Sequence, residues 1–230
     1  MAKTALSPRL IGWLLVLSLA INGIIVGGIF YFKYIRYPAY YRDTVKLAGF
    51  KTPSGASTLF AGDSFAALYK WPVLSKHTNL AIYGLGGSTT TDWKKWVTEL
   101  TALPADTVIL WLGTNDLLQG HSPDSTADRL AGLTNELIGM KKTVVLLKVL
   151  GPNGSYTLPD QSTPDEFSRL NHLMDSHLFS SCIRIDLSAW LADSSGILPM
   201  YSHDGLHLNP VGYRIADVLI TLALYGKEKP

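Results

Sequence analysis

The sequence predicts a three-layer α/β/α domain on about five parallel strands, preceded by one transmembrane helix. Three observations carry that expectation. Five short runs rich in Val, Ile and Leu recur along the chain, at Ser57–Ala61, Leu80–Tyr83, Thr107–Leu112, Thr143–Leu150 and Ile183–Leu187. Nearly continuous apolar runs of that length are the pattern of strands buried on both faces. Amphipathic segments separate them, and alternating β and α gives a parallel sheet covered by helices. At the front, Leu10 to Phe32 contains no charged residue.

The 230 residues suit one domain and an appendage. A net charge of +2 gives no electrostatic case for a nucleic-acid partner. The single cysteine, Cys182, excludes an internal disulfide and a multi-cysteine zinc site. It precedes an apolar run and reads as a small buried residue.

In chain order, residues 1–9 form a short basic tail with Lys3 and Arg9. Residues 10–32 follow, and about 23 residues at ~1.5 Å each cover a hydrocarbon core of about 30 Å. Tyr31, Tyr34 and Tyr37, with Lys33 and Arg36, follow as an interfacial belt would. A cleaved signal peptide would have a shorter apolar core, roughly 7–15 residues, ending in a small-x-small site. Ser18-Leu19-Ala20 offers such a site, but the apolar run continues past it, so the expectation is an uncleaved signal anchor. Gly23 and Gly27 make a small-xxx-small pair that permits a homodimer through this helix. Counting Lys33, Arg36, Arg42, Lys46 and Lys51 after the span favours a cytoplasmic domain. The basic tail, read as the n-region of a signal sequence, favours the opposite side, and these residues leave the orientation open.

Residues 33–56 read as a linker, with Pro38, Pro53, Ser54 and Gly55 and no sustained periodicity. The domain proper is 57–226, roughly 170 residues and enough for a full core, and 227–230 is a tail. Helices are expected over Phe65–Trp71, from Ser122-Pro123 to Gly139, and from Thr163-Pro164-Asp165-Glu166, which reads as N-cap, Pro at N1 and capping-box glutamate. The last opens at Asn209-Pro210 and places Val211, Ile215, Val218, Leu219 and Leu222 on one apolar face. Lys148 interrupts the fourth apolar run without an evident partner.

Four places carry chemistry, all where a strand ends or a helix begins. Gly62-Asp63-Ser64 puts a hydroxyl at a helix N-terminus. Serine needs a base, and Asp204-Gly205-Leu206-His207 supplies one: in a tight turn the carboxylate accepts the imidazole Nδ1–H, which frees Nε2 for the serine proton. Gly84-Leu85-Gly86-Gly87-Ser88-Thr89-Thr90 can present bare backbone N–H groups, and Asn115 in Gly113-Thr114-Asn115-Asp116 a side-chain amide, to an oxyanion. The glycine run is neither a dinucleotide fingerprint nor a P-loop, since Thr89 stands where the former needs glycine and no lysine follows. His77, His172 and His177 lack partners at metal-ligand spacing, so no metal and no cofactor are expected. His121 reads as a solvated loop residue, His203 lacks the Asp-x-x-His partner that His207 has, and Trp93 and Trp96 read as packing.

In that order, Gly-Asp-Ser, Gly-Gly-x-Thr-Thr, Gly-Thr-Asn-Asp and Asp-Gly-Leu-His-Leu-Asn, the chain resembles the SGNH (GDSL) hydrolases over about residues 57–226. The resemblance implies a flavodoxin-like sheet, with Ser64 as nucleophile, His207 as base and Asp204 as its orienter. It implies an oxyanion hole of the Ser64 N–H, the Gly87 N–H and the Asn115 side chain. Ser88 stands where many members carry aspartate, so Gly86 remains an alternative donor to Gly87. Phe65 replaces the usual leucine. The function expected is a membrane-anchored serine esterase acting on a small acyl ester, with lysophospholipids, thioesters and acetylated glycans all open, and the anchored members of the family imply an extracytoplasmic or periplasmic domain. A glycan O-acyltransferase would use the same residues. A non-catalytic binding module would have lost one of them.

Overall fold

In the computed structural model the described residues are 7–31, 55–157 and 164–226. The expected belt beyond Tyr31, nearly all of the linker, Thr163 and the tail 227–230 lie outside them. The chain divides into two compact units, Met1–Lys51 and Thr52–Pro230.

The first unit contains helix α1, Pro8–Tyr31. Its stretch Gly12–Tyr31 has a mean hydropathy of 2.2, long and apolar enough to cross a membrane. The polar Asn22 is satisfied within the helix, where its amide donates to the Ser18 carbonyl at 2.9 Å. An apolar environment therefore meets no orphan donor at that position.

The second unit is a five-stranded parallel sheet with helices on both sides. Its strands are β1 (Thr58–Gly62), β2 (Leu80–Gly84), β3 (Thr107–Trp111), β4 (Thr143–Leu147) and β5 (Ile183–Ile185), in the order β2-β1-β3-β4-β5. Around it lie α2 (Ser64–Ala67), α3 (Thr90–Lys95), α4 (Val97–Ala102), α5 (Thr114–Leu118), α6 (Pro123–Gly139), α7 (Pro164–Met174), α8 (Ser188–Leu191) and α9 (Pro210–Tyr225). Two short strands, β6 (Ala192–Asp193) and β7 (Gly196–Ile197), form a separate antiparallel ribbon. The parallel register pairs Gly62 with both Gly84 and Trp111, so the segments after β1, β2 and β3 emerge side by side. Strand order reverses between β1 and β3, and open α/β sheets bind ligands in the crevice at such a switch point.

Helix boundaries depart from the sequence reading where side chains find local partners. The helix expected to reach Trp71 stops at Ala67. The chain instead turns through Trp71 at φ +50°, and the indole drops into the core beside Phe60, with ring centroids 4.4 Å apart. Burial of that large ring offsets a backbone conformation that non-glycine residues rarely adopt. Strand β4 ends at Leu147, three residues early. Beyond it the Asn171 amide both donates to the Val149 carbonyl (2.8 Å) and accepts its N–H (2.9 Å), as a neighbouring strand would have done. Lys148 is explained by the same turn: its ammonium reaches Asp175 at 2.7 Å and Asp186 at 3.0 Å.

The face of α9 is a correction. Of the expected apolar face, Val211 and Leu222 are each 58% exposed, while Ile215 and Leu219 are partly buried against the core. The buried side is Tyr213, Ala216 and Ile220, which join Phe60, Ile109, Val145 and Ile185 beneath the sheet. Asp217 and Thr221 are buried on it too. The Asp217 carboxylate accepts the N–H groups of Val73 (2.8 Å) and Leu74 (2.9 Å), and the Thr221 hydroxyl donates to the Asp217 carbonyl. Polar groups with partners can lie inside, so the buried strip of α9 is rotated from the most apolar one and shares only its Ile215 and Leu219 edge.

Candidate active site

Ser64 opens α2 directly after β1. Asp63 caps that helix, its Oδ1 accepting the Phe65 N–H at 3.0 Å. The first N–H groups of a helix have no partner within it, and among the described residues the Ser64 N–H has none elsewhere. It is therefore free to face an anion beside its own hydroxyl.

The loop before α9 brings His207 to that hydroxyl. Ser202 and Leu208 close it as an isolated antiparallel bridge, and the Ser202 hydroxyl donates to the His207 carbonyl at 2.7 Å. Gly205 turns the loop at φ +82°, and a side chain there would meet the Tyr156 nitrogen at 2.5 Å. Inside this turn Asp204 Oδ1 accepts the N–H groups of Leu206 (3.0 Å) and His207 (2.7 Å). Its Oδ2 lies 2.6 Å from His207 Nδ1, and His207 Nε2 lies 3.0 Å from Ser64 Oγ. Burial opposes ionisation of Asp204, but the bonds from the His207 side chain and from the two backbone N–H groups outweigh it. The carboxyl is held at about 2. Ionised at neutral pH, it accepts the Nδ1–H and leaves Nε2 as the bare nitrogen facing serine.

The other two loops flank the serine. Gly87 stands third in the turn Leu85–Ser88, at φ +77°, while Gly86 has no positive φ. A turn with left-handed backbone at its third residue requires glycine or asparagine there. Among the described residues the Gly87 N–H has no acceptor. Asn115 lies in α5, and its amide donates to the Ser88 carbonyl at 3.1 Å and, more loosely, to Asp63 Oδ2 at 3.4 Å. The Trp93 indole N–H donates to the Ser88 hydroxyl at 2.9 Å, so Trp93 supports this loop as well as packing beneath it. His121 and His203 are exposed. Among the described residues no three His, Cys, Asp or Glu side chains gather as a metal site would need.

Two buried carboxyls lie behind the serine: Asp63, whose motif reads as fixing the turn by hydrogen bonding, and Asp116. Asp63 is fully buried, and that burial, reinforced by the charge of Asp116 and opposed by the Phe65 N–H, pushes it up to about 7 from 3.8. A raised carboxyl contributes stability that is fully present below about pH 4 and is lost as pH rises through about 7. Asp63→Asn removes that titration and keeps the cap acceptor. The melting temperature of the native chain relative to Asp63→Asn is therefore expected to fall steadily from pH 4 to pH 7.5. A difference that stays flat across this range would contradict the assignment. Asp116, also fully buried, pairs with Arg129 at 3.2 Å and ties α5 to Thr90.

An open parallel sheet that joins a serine, a histidine and an aspartate at its carboxyl edge has the architecture of an α/β ester hydrolase. The chain belongs to the GDSL-like lipase/acylhydrolase family, whose model matches residues 49–215, and is accordingly a carboxylic ester hydrolase. Solved structures agree on the fold. A GDSL-like lipase of Bacteroides thetaiotaomicron superposes with a TM-score of 0.66 at 20% identity, over 80% of this chain and 96% of that one. A lipolytic protein of the G-D-S-L family from Veillonella parvula gives 0.60 at 20% identity, covering 74% and 98%. An acetylxylan esterase of Geobacillus stearothermophilus gives 0.57 at 17% identity, covering 76% and 96%. No curated protein matches the chain in sequence.

Proposed function

We propose that the protein is a membrane-anchored serine esterase in which Ser64, His207 and Asp204 form the catalytic triad. The observation that carries this reading is the unbroken chain of contacts from Ser64 Oγ to His207 Nε2 (3.0 Å) and from Nδ1 to Asp204 (2.6 Å). His207 takes the serine proton as Oγ attacks the acyl carbonyl, and Asp204 stabilises the imidazolium that forms. The tetrahedral oxyanion is received by the N–H groups of Ser64 and Gly87 and by the Asn115 amide, whose long bond to Asp63 is the one that yields. His207 then returns its proton to the leaving alcohol, and water repeats the sequence to release the acid.

Helix α1 is the anchor, and its length and apolarity support that role. The catalytic domain lies outside the cytoplasm, on the n-region character of the basic tail and the resemblance to anchored members of the family. A reporter fused at the C-terminus and active only in the cytoplasm would overturn this placement.

The substrate class is read by the full chain in detergent, given p-nitrophenyl esters of increasing length beside Ser64→Ala. Wild-type hydrolysis lost in the variant is the expected result, and hydrolysis by both would overturn the nucleophile. A rate highest on acetate and falling with length directs the enzyme to acetylated glycans, in keeping with the acetylxylan esterase of like fold. A rate peaking at longer chains directs it to lysophospholipids or thioesters.

A further inference from the structure

We propose that Arg129 is a positioning residue for ester hydrolysis: it clamps Asp116 to Thr90 and so fixes the spacing between the loop carrying Gly87 and the turn carrying Asn115. The inference rests on the oxyanion hole proposed above.

The two oxyanion arms come from different strands. Gly87 follows β2 and Asn115 follows β3, with β1 and Ser64 between them. Besides a long bond from the Gln119 amide to the Gly87 carbonyl (3.5 Å), two groups of cross-links tie the arms together. One is the Asn115 bond to Ser88, made by the donor that must also serve the oxyanion. The other is wholly buried and leaves that donor alone. Asp116 Oδ2 accepts the Thr90 N–H at 2.9 Å, and Oδ1 accepts the Thr90 hydroxyl at 2.5 Å. Asp116 is the next residue after Asn115, and Thr90 lies three residues after Gly87.

Arg129 reaches this link from α6, which belongs to neither arm. Its Nε donates to the Thr90 hydroxyl at 2.9 Å and its Nη2 to Asp116 Oδ1 at 3.2 Å, with Thr126 Oγ1 at 3.3 Å. The donor count closes. The Thr90 hydroxyl gives its proton to Asp116 and offers a lone pair to Arg129, while Asp116 receives a cation beside its buried carboxylate. A guanidinium meets both atoms from two nitrogens of one planar fork, a fixed geometry that the single nitrogen of an ammonium does not reproduce. Oxyanion donors work only when about 2.7–3.1 Å from the developing charge. Displacement of a positioned group by about 1 Å costs on the order of 10²-fold in rate.

The test is a mutant cycle with the full chain in detergent, following p-nitrophenyl ester hydrolysis. Arg129→Lys and Arg129→Met are measured alone and combined with Asn115→Ala. The expected result is a kcat about tenfold to a hundredfold lower for each Arg129 variant, with KM nearly unmoved. Little further loss is expected in the Asn115→Ala background, because the group being positioned is already gone. The same fold-loss in both backgrounds, a change confined to KM, or an undiminished kcat would overturn the positioning role. If Asn115→Ala alone leaves kcat intact, the oxyanion assignment falls and this inference with it. If it lowers kcat while the Arg129 effect persists in full, only this inference falls. Thr90→Val, which removes the hydroxyl bridge and keeps the guanidinium, serves the same cycle where an Arg129 variant does not fold. Thr90→Ser is expected to restore the wild-type rate.

Discussion

Replacing Ser64 with alanine is expected to remove ester hydrolysis, by roughly 10⁴–10⁶-fold in kcat, and replacing His207 as well to remove almost nothing more. The reason is the single contact between Ser64 Oγ and His207 Nε2. A base without its nucleophile, or a nucleophile without its base, leaves the same residual rate from binding and the oxyanion hole, so the losses do not multiply. Asp204→Asn tests the third member. An amide can accept the two backbone N–H groups that shape the turn but cannot enforce the same imidazole tautomer, and a loss on the order of 10⁴ is expected. The check is steady-state kinetics on the three single variants and on Ser64→Ala/His207→Ala. Losses that multiply in the double variant would mean that the two residues act separately.

Asn115→Ala is expected to lower kcat by roughly 10²–10³ with KM little changed, because the amide meets charge that exists only in the transition state. In the resting site the amide holds the Ser88 carbonyl and Asp63. Its loss therefore also frees the Gly87 turn, and the effect stands at the upper end of that range. The acid limb of the pH–rate profile should stay in place, since His207 and Asp204 keep their contacts. A KM that rises while kcat holds would make Asn115 a substrate-binding group instead.

The parts of this account legible in the sequence are those carried by neighbouring residues. Asp204 and His207 are three positions apart, so one turn brings them together whatever the rest of the fold does. The runs of the central strands β1, β3 and β4 were readable because a strand buried on both faces must be apolar nearly throughout. The choice between Gly86 and Gly87 as donor was open in the sequence, and of the two only Gly87 has a positive φ. Long-range polar pairs were not legible. Lys148 finds its carboxylates 27 and 38 residues away, and Arg129 meets Thr90 from 39 residues away. On a helix of mixed composition, nothing local separates such an arginine from a solvated one. The full buried strip of α9 was hidden for the same reason, since Asp217 is buried by donors 143 and 144 residues earlier in the chain.

The central claim is that Ser64 is an activated nucleophile. The most direct test treats the full chain with a fluorophosphonate probe and maps the adduct by mass spectrometry, beside His207→Ala. The account predicts one stoichiometric adduct on the peptide containing Ser64, formed rapidly in the wild type and scarcely at all without His207. A folded wild-type chain that stays unlabelled, or an adduct on another residue, would contradict it.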